Sequence, residues 1–311
     1  MKCDLKFIMV DVQGNAEKGV DWKGIYRDAL ANVWQEFYIS CCLGERERVP
    51  FLRHDFQSDE WKAVARIIVK GFLDLGYFPA MLSKGFVISS MFGEKAVSDD
   101  ILLQSFSKYL APLDEQVLSR WQSNEEWNPE DDRDELIDLL DRYDCRKLPT
   151  KQNINGLTLE VAHKEVIQKA QYIADCWEDI LKPALGQLLS VDKILALYKT
   201  LEATNKKVLK MLDANPVTNS ERSALEFLKR YVRALDLAKL KSFLMFCTGA
   251  DVICVPKISV YFTKLEGLQR RPIARTCGCV LELPSTYDCY TEFRTEFTNI
   301  LVKEKWQNGI M

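Results

Sequence analysis

The side chains best able to act as nucleophiles in this 311-residue chain are its ten cysteines. Two of them, Cys277 and Cys279, flank Gly278 in the stretch R-P-I-A-R-T-C-G-C-V-L-E-L-P-S-T-Y, Arg271 to Tyr287. Alternation of Cys279, Leu281 and Leu283 against Val280 and Glu282 predicts a strand over 279–283 with one buried face. Cys279 then points into the core. Cys277 falls in the loop that enters the strand, where a side chain can stay exposed. A cation beside an exposed thiol lowers its pKa and raises the population of thiolate, the species that reacts. Arg275, with Arg270 and Arg271 behind it, could supply that charge. On residue types and spacing alone, Cys277 is either a nucleophile or an ordinary loop cysteine.

Other chemistries find less support. Structural zinc draws its ligands from closely spaced pairs, but the chain has no C-x-x-C and only two histidines, His54 and His163. The adjacent Cys41 and Cys42 read as packed thiols, since neighbouring cysteines form a strained disulfide. A papain-like hydrolase needs a base, and His163 sits in a predicted helix remote in sequence from Cys277. Kinase, dinucleotide and P-loop readings lack their glycine-rich loops. No metal or organic cofactor is implied.

The elements that must position Cys277 read as mostly helical, turning to β near the end. A strand is expected at Asp4–Val12, then helices at Lys23–Tyr38, with Asp21 as cap, and at Asp59–Leu75, ended by Pro79. Ser98 to Trp121 reads as helix broken near Ala111-Pro112, followed by an acidic tract, Asn124 to Asp138, of the kind that begins a solvated helix or docks a basic partner. Long helices are predicted at Leu159–Leu181 and Val191–Leu212, the second capped by Asp192. The polar stretch D-A-N-P-V-T-N, Asp213 to Asn219, is the best linker and places a lobe boundary at Asn215-Pro216. Beyond it come helices at Glu221–Leu235 and Leu237–Phe246, and strands at Val252–Val255, Ile258–Phe262 and Cys279–Leu283. The expected fold class is α+β, with a larger mostly helical lobe over 1–215 and a small α/β lobe over 216–311.

With 47% hydrophobic and 28% charged residues, such a chain can bury a substantial core. A formal net charge of −3 offers no broad positive field for phosphates, so nucleic acid is not an expected partner. The apolar run Phe7 to Val10 is too short for a signal h-region or a membrane span. No membrane partner is expected, and unpatterned cysteines suit a reducing compartment, cytosol or nucleus.

The Cys277 stretch resembles the active-site segment of HECT-type ubiquitin ligases, L-P-x-A-x-T-C-x-x-x-L-x-L-P-x-Y. Pro272, Ala274, Thr276, Cys277, Leu281, Leu283 and Pro284 stand in register, and Tyr287 follows a two-residue insertion, Ser285 and Thr286. Upstream, Leu244-Met245-Phe246-Cys247-Thr248-Gly249 is similar to the family's L-x-F-x-T-G, with Val255-Pro256 at a family-like distance. Gly19-Val20-Asp21-Trp22-Lys23-Gly24 and Arg27 resemble, more weakly, the opening G-V-D-x-G-G-x-x-R. The wording around Cys277 is nearest to the G2/M phase-specific group of HECT-like proteins.

The resemblance implies a bilobal HECT-like fold whose catalytic residue is Cys277, supported by Arg275 and Thr276. Its partners would be ubiquitin, a ubiquitin-conjugating enzyme and a protein substrate. Asn215 and Pro216 would form the hinge, and residues 118–157 would receive the conjugating enzyme through Trp121 and Trp127. Departures exist: many active members carry His where Arg275 stands, and the ending K-E-K-W-Q-N-G-I-M lacks their terminal Phe. A second reading is therefore a weak or inactive module that binds ubiquitin-pathway or other partners.

Overall fold

A computed structural model describes residues 22–123 and 131–307. The predicted strand Asp4–Val12, the cap Asp21 and Trp127 lie outside the described residues. In chain order the elements are α1 (Trp22–Cys41), β1 (Cys42–Leu43), β2 (Val49–Pro50), α2 (Ser58–Leu75), α3 (Lys84–Phe92), α4 (Asp99–Tyr109), α5 (Pro112–Gln122), α6 (Asp131–Arg142), α7 (Ile154–Val166) and α8 (Gln171–Leu185). There follow α9 (Val191–Leu201), α10 (Asn205–Met211), β3 (Leu212–Ala214), α11 (Asn219–Arg233), α12 (Leu237–Thr248), β4 (Ile258–Thr263), β5 (Ile273–Arg275), β6 (Val280–Pro284) and α13 (Tyr290–Gln307). A mostly helical chain with small mixed sheets is α+β, as expected.

Where sequence signals are local, elements match. Ser98 caps α4 by accepting the Ile101 N–H, and Pro112 opens α5 at the position where a missing N–H does no harm. Thr218 and Glu221 form a capping box that starts α11, and Asp236 caps α12.

Other boundaries move. The end of α2 is set by Gly76, at φ +67°, ahead of Pro79. The expected Leu159–Leu181 helix is two helices separated by a 3-10 turn at Gln168–Ala170. Val166, Ile167 and Ala170 are all buried, and the change of direction lets these close-spaced residues all face inward. Likewise Val191–Leu212 breaks after Leu201, and Thr204 caps α10 by accepting the Lys207 N–H. Ser190, not Asp192, accepts from the first turn of α9 through the Lys193 N–H at 3.4 Å.

The chain divides into two compact units, one holding 22–33, 74–77 and 200–307 and the other 34–73 and 78–199 of the described residues. In the second, aromatic rings dominate: Trp34 and Phe37 of α1, Trp61 of α2, Phe86 of α3 and Trp177 of α8 are all buried. Centroid separations of 5.3 Å for Trp34–Phe37, 6.4 Å for Phe37–Trp61 and 5.1 Å for Phe86–Trp177, each near edge-to-face, suit the ring quadrupoles.

The first unit is built on a four-stranded sheet of order β3-β4-β6-β5, parallel from β3 through β6 and antiparallel at β5. Ile258 and Val260 of β4 and Leu281 and Leu283 of β6 enter a core shared with Leu228, Phe243, Leu244, Phe293 and Phe297 from α11, α12 and α13. Alternate residues face outward, with Tyr261 61% exposed. Asp213 and Ala214, expected in a linker, are strand residues paired with Ser259 and Val260. Asn215 and Pro216 form the connection from β3 to α11, both in this unit, so bending there would pull β3 from the sheet. Val252–Val255 is loop rather than strand. It lies beside the end of α9, where the Ile253 N–H donates to the Leu201 carbonyl at 3.0 Å instead of entering the sheet ladder.

Burial of phenols, Tyr26 and Tyr143 among them, makes the fold sensitive to alkali. Tyr26 is pushed from 10.0 up to about 12 by burial and then by the Asp74 charge, and Tyr143 to about 12 by burial and then by Asp114 and Glu165. Folding favours the neutral phenol, so this contribution is complete below pH 10 and is lost as pH rises towards 12. The urea midpoint should fall across that interval, and less steeply for Tyr143→Phe; a flat profile would contradict the assignment.

Candidate functional site

Cys277 lies at the tip of the hairpin formed by β5 and β6. Arg275 and Val280 are the last paired residues, leaving Thr276, Cys277, Gly278 and Cys279 as the connection. Thr276–Gly278 is a single 3-10 turn, closed by the Cys279 N–H donating to the Thr276 carbonyl at 3.3 Å. The next residue takes the left-handed conformation, where glycine is ordinary. Gly278 stands one position early, and Cys279 itself adopts φ 51°, ψ 48°. That conformation costs a residue with a Cβ about 1–2 kcal/mol. Cys279 is therefore not the first strand residue, although its thiol is buried as expected. The alternation holds from Val280 onward, with Leu281 and Leu283 fully buried.

Two neighbours hold this turn in place. The Ser259 N–H at the start of β4 donates to the Cys279 carbonyl at 2.9 Å. Arg27 of α1, itself 5% exposed, donates through Nη2 to the Thr276 carbonyl at 2.6 Å and to Cys279 Sγ at 3.4 Å, and through Nε to the Thr248 carbonyl at 2.7 Å. Thr248 and Gly249 end α12: Gly249, at φ +73°, donates to the Met245 carbonyl, and the Thr248 hydroxyl turns back to the Leu244 carbonyl at 2.8 Å. That ending aims the Thr248 carbonyl at Arg27. Glycine is also needed at 24, where a Cβ would stand 2.5 Å from Cys277 Cα and N and 2.8 Å from its Sγ.

Cys277 is half-buried, with the first turns of α1 against it. Thr276 is half-buried too, and it is its carbonyl that takes part in bracing the turn. Two of the cations expected to act on Cys277, Arg275 and Arg270, are engaged elsewhere. Arg275 is largely exposed and pairs with Glu282 at 2.8 Å. Arg270 is tied to Glu292, to Glu296 at 3.3 Å and to the Thr286 carbonyl, and it lies over the Tyr287 ring. Arg27 is the guanidinium built into the turn. In the sequence Arg27 stands out only as the last residue of the G-V-D-x-G-G-x-x-R-like opening.

Other expected site residues fall in the second unit. Trp121 of α5 is 2% exposed, with Lys151 over its ring, so it is packed rather than presented to a partner. In the acidic tract, Glu135 pairs with Arg120 at 3.0 Å. His163 is held by Glu94 at 2.7 Å on the wall of an open cavity of about 700 Å³. Among the described residues no cluster of His, Cys, Asp and Glu is arranged to hold a metal.

Residues 149–300 match the family model of the HECT-domain (ubiquitin-transferase). The matched segment contains both the T-G ending of α12 and the Cys277 turn. No curated protein matches the chain.

Proposed function

We propose that this chain is a HECT-type ubiquitin transferase that carries ubiquitin as a thioester on Cys277. The observation that carries the reading is the Cys277 turn: a partly exposed thiol at a hairpin tip, braced on both sides, within the segment that matches the family. In the first step the Cys277 thiolate attacks the carbonyl of a conjugating enzyme's ubiquitin thioester, and that enzyme's cysteine leaves as thiolate. In the second, a substrate lysine amine attacks the new thioester, Cys277 leaves as thiolate and the amine's proton passes to a base. Exchange of one thioester for another is close to isoenergetic, so positioning governs the first step.

Arg275 cannot take the proton of the second step at neutral pH, and its guanidinium already serves Glu282. Transfer to lysine therefore runs slower than loading, and the charged form accumulates. Cytosol or nucleus, a two-lobed arrangement with a conjugating-enzyme site within 118–157, and kinship with the G2/M phase-specific group belong to the same proposal.

The chain incubated with ubiquitin and a panel of charged conjugating enzymes should give an adduct that is cleaved by dithiothreitol and absent from Cys277→Ala. Absence of any such adduct across the panel would overturn the reading in favour of a binding module.

A further inference from the structure

The geometry points to Arg27 as a positioning residue for Cys277, an inference that rests on the reading of Cys277 as nucleophile and adds the group that sets its geometry. The turn presenting Cys277 has a weak point. Its closing residue, Cys279, has a Cβ in a conformation that glycine adopts freely, so local preferences alone do not hold the tip closed.

Arg27 supplies what the turn lacks. Its Nη2 reaches the residue before Cys277, at the Thr276 carbonyl, and the second residue after it, at Cys279 Sγ. One guanidinium nitrogen thus spans the turn. Its Nε is fixed on the Thr248 carbonyl, which ends a helix packed in the same core as β6. Among the described residues the partners of Arg27 are two carbonyls and a thiol of the turn and the helix end beside it, whereas Arg270 and Arg275 are paired with carboxylates. The planar fork of arginine can hold all three partners; lysine, a single point donor on a flexible stem, cannot. Gly24, one turn earlier on the same helix face, allows the close approach that brings Arg27 into reach.

The test uses the full chain as wild type, Arg27→Lys, Cys279→Gly and the double variant. Loading from a charged conjugating enzyme is followed in single turnover over a range of enzyme concentrations. Arg27→Lys should lower the saturated loading rate roughly ten- to a hundred-fold, the scale of a small misplacement of a reacting group, with the half-saturating concentration unchanged. Cys279→Gly in the Arg27→Lys background should restore most of the rate, because glycine keeps the left-handed conformation unaided. Wild-type loading by Arg27→Lys, or a loss that Cys279→Gly does not relieve, overturns the assignment.

Iodoacetamide labelling separates this inference from the functional one. Cys289, exposed beyond the turn, serves as the reference thiol in the same molecule. If wild type forms no adduct, the functional reading fails, and Arg27 is still judged by the ratio of Cys277 to Cys289 labelling. That ratio should change several-fold in Arg27→Lys and return in the double variant; an unchanged ratio overturns the assignment. Should Arg27→Lys not fold, Arg27→Gln replaces it, with the same readouts, the same rescue by Cys279→Gly and the same overturning results.

Discussion

Replacing Phe293 by alanine should remove about 3–5 kcal/mol of stability, the range for deleting a fully buried aromatic ring. Phe293 is 0% exposed on α13 and is surrounded by rings: Tyr287 at 5.0 Å, Phe297 at 5.5 Å, Phe227 at 6.0 Å and Tyr231 at 6.1 Å. These neighbours come from α11, from α13 itself and from the segment after β6, so a void there cannot close by moving one side chain. The same helix holds Arg270 through Glu292 and Glu296. Urea unfolding monitored on the full chain measures the loss, and Val302→Ala, half-exposed on the same helix, should stay within about 0.5 kcal/mol of wild type. A loss below about 1 kcal/mol for Phe293→Ala would mean that the ring cluster is not the core described.

Native-state alkylation should separate the cysteines by about three orders of magnitude. Burial pushes the Cys254 thiol from 9.0 up to about 12, and burial together with the neighbouring Cys41 pushes Cys42 higher still. Near neutral pH each unit removes about nine-tenths of the thiolate, so Cys254 should react roughly a thousand-fold more slowly than an ordinary thiol on this ground alone. Cys289, exposed, should label at an ordinary rate. Mass spectrometry of timed iodoacetamide reactions gives each rate, and in urea the rates should converge as burial is lost. Equal labelling of Cys254 and Cys289 in the folded chain would refute the assignment.

Much of the framework was legible in the sequence because its signals are short-range. The break at Ala111-Pro112 that opens α5 and the alternation of β6 each act within four residues of the element they set, as do the serine before α4 and the T-N-S-E box of α11 that the structure adds. The apolar content of a segment is a poorer guide. Val252–Val255 is as β-prone as Ile258–Phe262, yet only the second reaches a neighbouring strand. The two predicted long helices each contain a break, and at Ile167 the turn lets more residues face the core than one straight face would allow. The linker at Asp213–Asn219 was read from polarity, whereas its first half pairs with β4 and its second half caps α11.

For the site, the sequence by itself determined the strand that follows the turn, since residue alternation along a strand has a period of two and Leu281 and Leu283 set its phase, but it put Cys279 in that strand, whereas Cys279 is buried from within the turn. Only the tertiary structure decided what stands beside Cys277. Arg275, two residues away, turns to Glu282, and Arg27, at a sequence separation of 249 from the carbonyl it grips, supplies the brace. A cation's partner depends on which acceptors the fold brings within about 3 Å, and separations of that length carry no periodic signal along the chain. The left-handed conformation of Cys279 is of the same kind, because bonds from Ser259 and Arg27 outweigh a local preference that would have put glycine there.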